Sequence, residues 1–311
     1  MSKRFVILII TAIVGFAGVN AQTAKRPRIV GLSHAAFFVH DVDKARSFYK
    51  DFLGYDEPFS LNKTDGSLDL TYIKINDRQS IELFVERGQG AGRLYQVAFE
   101  VDDAEAMRAY LASRGIKTPE KVNKGRIGNL NFTVKDPDGH VAEFVQYLPE
   151  GWTLKDAGKH LPAEPLSTHL KHVGFIVDSL ERSLKFYCDI LGCQETWRGN
   201  APGQQLQWVN LKVPDGEDYI ELMLYSDPPS LMRLGSMNHI SLEVADVART
   251  AAVLESRPWF KEYGRPLTVR TGINRKRQLN VFDPDSTRTE FMEPKTVDGL
   301  TVPSSTAKPP R

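Results

Sequence analysis

Apolar residues alternate with polar ones in several short stretches of the chain, and each stretch leads into a segment whose apolar residues recur every three or four positions. Alternation predicts a strand, and the longer period predicts a helix. The first such pair runs from His34 to Gly54, and a second runs from His172 to Gly192. The offset is 138 residues, and eight of the 21 aligned positions are identical. The chain therefore contains a tandem duplication.

Each half repeats the strand-and-helix pattern once more. Further alternating strands begin at Gln96 and His239, and a helix-like segment follows each. We predict four units, each of one strand, one helix and three further strands, which together make an α+β fold. The last strand of every unit carries a central glutamate, and these are Glu82, Glu143, Glu221 and Glu290.

Turn and linker composition sets the domain limits. The sequences from Asp136 to Gly139 and from Asp283 to Ser286 predict tight turns just before the last strand of each half. A stretch between the halves lacks a period and contains prolines and glycines, which indicates a linker, and the end of the chain is rich in proline. The predicted parts are a first domain at 30–148, a linker at 149–168, a second domain at 169–294 and a disordered tail at 295–311.

The N-terminus has the pattern of an export signal. Two basic residues precede an apolar run from Phe5 to Val19, which is short for a membrane span. Small residues around Ala21 predict cleavage after it, so that residues 1–21 form a signal peptide and the folded part is exported to the periplasm or the exterior. An uncleaved N-terminal anchor is the alternative interpretation.

Composition narrows the functional classes. Among 311 residues, 40 basic side chains balance 39 acidic ones, the formal net charge is +1, and 41% of residues are hydrophobic. These values exclude a wholly disordered chain, a polytopic membrane protein and a strongly basic nucleic-acid binder. They favour a small molecule as the partner. We expect no binding to nucleic acid and, after cleavage of the signal peptide, no association with a membrane. The only cysteines are Cys188 and Cys193, whose pairing stays open, so a metal site must use histidines and carboxylates.

Regular spacing points to such a metal site. In each unit, a polar residue at the start of the first strand precedes the closing glutamate by 47 to 51 residues. If the two units of a half face each other, the second half gathers His172, Glu221, His239 and Glu290, and the first half gathers His34, Glu82, Gln96 and Glu143. Two imidazoles and two carboxylates suit Zn, Ni, Co, Mn or Fe(II) and leave two octahedral positions open. Gln96 replaces an imidazole with a weaker ligand, so the second half is the stronger prediction.

This ordered set of motifs resembles the vicinal oxygen chelate superfamily, which includes glyoxalase I, extradiol dioxygenases and the fosfomycin and bleomycin resistance proteins. The resemblance covers both predicted domains. It implies tandem domains, each made of two βαβββ modules that close into a cup-shaped half-open barrel around one divalent metal. The four polar residues of each half fall where the ligands of a glyoxalase I type site lie.

The resemblance implies a metal-dependent lyase or isomerase that acts on a small substrate chelated through two adjacent oxygens. A divalent metal stabilises the enediolate formed when the neighbouring C–H is deprotonated. In glyoxalase-like members a ligand carboxylate serves as the base, which assigns that role to Glu290 with Glu221 opposite.

Two other functions fit the same residues. An Fe(II) extradiol dioxygenase would use His172, His239 and Glu290 as a facial triad, although Glu221 would fill a fourth position and Asn280 stands near the place of the acid/base tyrosine of those enzymes. A non-catalytic binding or resistance protein would hold its ligand on aromatic walls, for which the candidates are Trp197, Trp208 and Tyr219.

Two weaker patterns accompany the site. Glu100 and Glu243 lie four residues beyond predicted ligands, as auxiliary bases at the cup mouth or as ordinary surface groups. A basic cluster precedes the last strand of the second half and is interpreted as a solvated hairpin or as a grip for a substrate anion. Its members are Arg265, Arg270, Arg275, Lys276 and Arg277.

Overall fold

The computed structural model describes residues 25–86, 93–227 and 229–310. The predicted signal peptide at 1–21 lies outside these residues, and its cleavage stays a prediction. No helix in the described ranges is long and apolar enough to cross a membrane.

The first half contains eight strands and two helices. Helix α1 continues into a π-helical segment at Phe48–Phe52. The elements are β1 Ile29–Val39, α1 Val42–Ser47, β2 Ser60–Asn62, β3 Leu68–Lys74, β4 Ser80–Val85, β5 Leu94–Val101, α2 Ala104–Ser113, β6 Asn123–Lys124, β7 Leu130–Lys135 and β8 Val141–Gln146.

The second half repeats this order after a short linker helix. Helix α4 again continues as a π-helix, at Lys185–Ile190. The elements are α3 Trp152–Lys155, β9 Leu170–Ile176, α4 Leu180–Leu184, β10 Gln194–Gly199, β11 Trp208–Lys212, β12 Tyr219–Met223, α5 Leu231–Met237, β13 His239–Glu243, α6 Val247–Ser256, α7 Phe260–Tyr263, β14 Arg270–Thr271, β15 Lys276–Phe282 and β16 Arg288–Thr296. The predicted βαβββ units are confirmed, with α3, α5 and α7 as additions.

Each half forms one curled, eight-stranded half-barrel sheet. The strand order is β2-β3-β4-β1-β5-β8-β7-β6 in the first sheet and β10-β11-β12-β9-β13-β16-β15-β14 in the second. The first strand of each unit pairs parallel with the last, and the two first strands of a half pair antiparallel. The strands that carry the predicted ligands are therefore the four central neighbours of each sheet.

Local sequence explains how the helices cover one face of each sheet. Asp41, Asp103 and Asp246 accept backbone N–H groups at the starts of α1, α2 and α6, which caps each helix. Alternate residues of β1, including Phe37, are fully buried against the helices. The intervening residues, among them His34, face the opposite side of the sheet, which is the inside of the cup.

The two sheets meet where β1 approaches β9. The Gln79 amide nitrogen donates to the carbonyls of Leu32 (3.3 Å) and Leu170 (3.0 Å) and to Asp218 (3.1 Å). Asp218 also accepts the Leu32 backbone N–H at 2.7 Å and contacts His169 Nε2 at 2.5 Å. These buried polar groups link the first strands of both halves, so the positions of the two cups are fixed relative to each other.

The helices of each half also contact the turns of the other half. The Tyr187 hydroxyl donates to Asp136 Oδ2 at 2.9 Å, in the predicted turn of the first half. Tyr49 lies at the same position of the repeat and is buried near Asp283 of the second-half turn. Both turns have the predicted i to i+3 hydrogen bond, with Gly139 and Ser286 as the donors. The duplication therefore produces a two-fold related pair of packing contacts.

The C-terminal segment is not the disordered tail that its prolines indicate. Strand β16 extends to Thr296, and beyond it the Ser305 amide donates to the Arg198 carbonyl at 2.9 Å. The Lys308 carbonyl accepts the Leu206 amide at 2.9 Å, and Ala307 packs against the core. The prediction is wrong here because proline lacks only its own backbone N–H donor. The backbone groups of the residues between the prolines can still form hydrogen bonds and cover edge strand β10.

Candidate metal centre

Strand register brings the second-half ligands into two adjacent rows. In one row, Tyr219 of β12, His172 of β9, Ser241 of β13 and Glu290 of β16 lie side by side. In the next row, the order across the same four strands is Glu221, Gly174, His239 and Arg288. Members of neighbouring rows are two residues apart on each strand and share a face, so all of these side chains point into the cup.

The two histidines meet at the centre of this face. Their Nε2 atoms are 3.1 Å apart, and both side chains are 1% exposed. Glu290 Oε2 lies 3.4 Å from His172 Nε2, and Glu221 Oε2 lies 3.5 Å from His239 Nε2. One nitrogen or oxygen each from His172, His239 and Glu290 falls within 4.8 Å of the others. The structure thus brings all four predicted residues of the second half together.

Burial sets the charge of these groups. It lowers the pKa of both His172 and His239 well below the usual value, and Arg288 adds to the effect. Burial and then the charge of Glu290 raise the pKa of Glu221 to about 8, and burial also raises the pKa of Glu290. Neutral imidazoles are the form that binds metals, and buried carboxylates need a cation to compensate for lost hydration.

Gly174 makes room for one of the ligands. A Cβ at this position would lie 2.0 Å from Cε1, 2.5 Å from Nδ1 and 2.8 Å from Nε2 of His239. Any side chain at position 174 would therefore push the imidazole away from the centre. The corresponding residue of the first half is Ala36, and its neighbour across the strands is Gln96, which replaces the histidine.

The donor set fits a divalent metal. The Nδ1 atom of His239 lies 3.0 Å from the Met237 carbonyl, which can hold the Nδ1–H tautomer and leave Nε2 as the ligand. His172 Nδ1 is buried without a hydrogen-bond partner in the described chain, while its ring packs at a tilt of 30° against Tyr219 with centroids 4.5 Å apart. Two imidazole nitrogens and two carboxylates around one point are the ligands that Zn, Ni, Co, Mn and Fe(II) accept.

The first cup also assembles its predicted residues, but hydrogen bonds satisfy them. His34 Nε2 lies 3.0 Å from Glu143 Oε2 and 3.5 Å from Glu82 Oε1. The Gln96 amide nitrogen lies 2.9 Å from His34 Nε2 and donates to Glu143. Gln96 would have to turn its amide over before its oxygen could serve as a ligand.

Electrostatics also differ in the first cup. Burial opposes a charge on His34, but Glu82 and Glu143 outweigh it, so the pKa of His34 is raised. Burial raises the pKa of Glu82 to about 7. This cup therefore favours a protonated histidine, whereas the second cup favours neutral ones, which are the form that binds a metal.

Each centre opens into a cavity. The cavity of the second cup has a volume of about 240 Å³, and its walls include Trp197 and Trp208. The third aromatic candidate, Tyr219, is not in the lining and packs against His172 instead. Glu221, Glu290 and Arg288 also line the cavity. The first cup has a larger cavity of about 390 Å³.

Other sequence-based candidates lie elsewhere. Glu100 forms an ion pair with Arg78, and Glu243 is half-buried with Lys171 3.8 Å away, so neither is a free base. Asn280 pairs with Glu290 in the sheet, and its buried side-chain oxygen has no partner among residues of the described ranges.

The basic cluster does not line the second cavity, but Arg288 does. Sequence reasoning missed Arg288, although its position two residues before Glu290 places it on the same strand face. The two cysteines are not bonded to each other, and burial raises the pKa of both thiols.

The model of the Glyoxalase/Bleomycin resistance protein/Dioxygenase superfamily matches residues 31–144 and 169–291. The chain belongs to this superfamily. Its two matched segments coincide with the two sheets, so both halves are superfamily domains. The fold and the resemblance inferred from the sequence are confirmed.

Relatives in this superfamily are distant. The lactoylglutathione lyase of Schizosaccharomyces pombe is 27% identical over 141 residues, which cover 37% of this chain and 46% of that protein. The glyoxalase I of Saccharomyces cerevisiae is 27% identical over 96 residues, or 31% of this chain and 27% of the yeast protein. The chain thus spans under half the length of these curated relatives.

Solved structures of superfamily members have the same fold. The Mn(II)-bound glyoxalase from Novosphingobium aromaticivorans superposes with a TM-score of 0.63 at 17% identity, over 86% of this chain and 83% of that one. An extradiol ring-cleaving dioxygenase from B. fuscum gives a TM-score of 0.64 at 19% identity, over 90% of this chain and 76% of the other. Members of the superfamily are usually metal-dependent enzymes, and these two neighbours belong to different reaction classes.

Proposed function

We propose that the second domain is a divalent-metal-dependent enzyme of the glyoxalase type, with lyase or isomerase chemistry on a small substrate that presents two adjacent oxygens. The observation that carries this proposal is the buried group of two neutral imidazoles and two carboxylates, whose glutamates Glu221 and Glu290 line one cavity. When bound there, a divalent metal would supply Lewis acidity toward the two oxygens and so acidify the neighbouring C–H bond.

The carboxylates of this chain would move the proton. Glu290 approaches the imidazole pair from β16 and Glu221 approaches from β12, so they flank the place where a substrate would lie. We assign proton removal to Glu290 and proton return to Glu221 on the opposite side. Trp197 and Trp208 line the same cavity as the two glutamates and would give the substrate an apolar surface to lie against.

An Fe(II) extradiol dioxygenase is the second candidate, and one observation favours it. His172, His239 and Glu290 form the close group, with Glu221 outside it, and two histidines with one carboxylate are the usual iron ligands of such enzymes. Asn280, opposite Glu290, cannot serve as an acid or base in the way a tyrosine can.

Proton exchange and oxygen uptake separate the two reactions. The mature protein, loaded in turn with Zn, Ni, Co, Mn or Fe(II), is incubated with hydroxyacetone in D₂O, and loss of the C–H signal is followed by NMR. We expect metal-dependent exchange that falls by about 100-fold or more in Glu290→Gln. His34→Ala, in the first cup, is the matched control and keeps the rate. Oxygen uptake with catechol under Fe(II) would instead assign the dioxygenase, and metal binding without either reaction would leave a binding or resistance protein.

The same domain is proposed to act outside the cytoplasm, after removal of residues 1–21. An exported enzyme would act on small molecules present outside the cytoplasm. The near balance of charge, 40 basic against 39 acidic residues, gives no long-range attraction for anionic polymers and is consistent with a small diffusible substrate.

A further inference from the structure

Arg288 is a charged group that the chemistry proposed above does not use. Its side chain shares the cup face with His239 and Glu290 and lines the second cavity. Its Nη2 atom donates at 3.2 Å to the Met237 carbonyl and lies 2.6 Å from His239 Nδ1, while its buried Nε has no partner in the part of the chain that the structure describes. These hydrogen bonds all go to neutral acceptors.

The first cup shows that the fold does not require this arginine. Val141 occupies the same register position, next to Gln96 as Arg288 is next to His239. The arginine that lines the first cavity, Arg126, forms an ion pair with Asp69. Among the residues that the structure describes, no carboxylate forms an ion pair with Arg288, although the charge of the arginine opposes the burial that raises the pKa of Glu221 and of Glu290. This unpaired cavity arginine distinguishes the second cup from the first.

The balance of charge in the second cup indicates that Arg288 needs a negatively charged partner. A divalent cation would offset the two carboxylates Glu221 and Glu290, which would leave the Arg288 guanidinium charge uncompensated in the lining of the cavity. A planar guanidinium with free donors matches an oxyanion. We propose that Arg288 anchors a negatively charged oxygen group, a carboxylate or a phosphate, on the substrate. This inference rests on the proposed function, and it narrows the substrate class to small anions.

His239 couples the anchor to the metal. Its Nδ1 atom can donate to the Met237 carbonyl or accept from Arg288, but it cannot do both in one tautomer. A metal on Nε2 requires the proton on Nδ1, so the Arg288 hydrogen bond to the ring is lost and Nη2 becomes available to the cavity. Oxyanion binding is therefore stronger in the metal-loaded protein. The cavity of about 240 Å³ has room for a small molecule.

Binding of simple probes tests the anchor. Glycolate, neutral hydroxyacetone and inorganic phosphate are titrated into the mature protein with and without Zn²⁺, and heat or tryptophan fluorescence reports binding. Glycolate affinity is expected to fall between about 10-fold and 100-fold in Arg288→Gln, with a smaller loss in Arg288→Lys, while hydroxyacetone binding stays the same. Arg277→Gln removes one charge from an exposed site on the neighbouring strand and leaves glycolate affinity unchanged. Thermal unfolding and zinc content confirm that each variant is folded and loaded.

The outcomes separate this inference from the proposed function. Glycolate affinity that is equal in wild type and Arg288→Gln, with zinc bound in both, overturns the anchor and leaves the metal site standing. Arg288-dependent glycolate binding to a protein that takes up no zinc supports the anchor and contradicts the metal-dependent function. Phosphate that binds more tightly than glycolate, and only with Arg288 present, supports the anchor and identifies phosphate esters as the source of the oxyanion.

Discussion

Replacement of Gly174 by alanine tests whether His239 stands where a metal would need it. The added Cβ would lie 2.0 Å from His239 Cε1, whereas carbon atoms in contact stay about 3.5 Å apart. The ring must therefore retreat by about 1.5 Å, while ligand distances tolerate only about 0.2 Å. We expect metal affinity to fall by about 100-fold or more, and the metal-free protein to lose about 1–3 kcal/mol of unfolding free energy through overpacking.

The first half supplies the matched control for this experiment. The double variant Gly174→Ala, His239→Gln copies the pair formed by Ala36 and Gln96, so we expect it to regain stability without regaining metal affinity. Zinc titration measures the affinity, and urea unfolding of the metal-free proteins measures the stability. A Gly174→Ala protein that binds zinc as tightly as wild type would refute the reasoning, because His239 would then not be a ligand held by this contact.

Four further predictions concern other parts of the chain. Burial raises the pKa of Asp283 to about 7, so the folded state favours the protonated carboxyl, and the stability that this group contributes is lost as pH rises from about 4 to 7. Asp283→Asn keeps a neutral side chain at every pH. Its free energy of unfolding in urea should therefore exceed that of wild type by an amount that grows across this pH range. His140 and Tyr187 outweigh burial to lower the pKa of Asp136, so Asp136→Asn should be less stable than wild type at neutral pH, and a gain there would contradict the contacts. Mass spectrometry of the exported protein should find its N-terminus just after Ala21, and an intact N-terminus would favour the anchor. The double change Ala36→Gly, Gln96→His should raise zinc affinity of the first cup, measured by calorimetry, and no change would show that more than these two residues weakens it.

The sequence was sufficient for the repeat, the fold and the polar side chains that meet in each cup. Strand alternation can be read from the sequence without knowing which strands pair, and so can the spacing between His172 and Glu221, which occurs in all four units with small changes. Alternation also shows which residues share a face of their strand. This is why the structure brings the predicted residues of both cups together.

Features that depend on register were beyond the sequence. The close approach of Gly174 and His239 comes from antiparallel pairing of β9 with β13, and no local pattern announces it. The basic cluster before β16 drew attention because its members are adjacent in the chain, yet the residue that reaches the cavity is Arg288. The C-terminal segment was misinterpreted because composition does not reveal that the edge strand β10 is available to pair with it.

The most direct test of the account is the metal content of the mature protein, measured by elemental analysis after dialysis against trace metal. We expect wild type to hold at least one divalent metal per chain, His172→Ala, His239→Ala to lose the tightly held ion, and His34→Ala to keep it. A double variant that retains as much tightly bound metal as wild type, or a wild type that takes up none, would contradict a metal centre in the second cup.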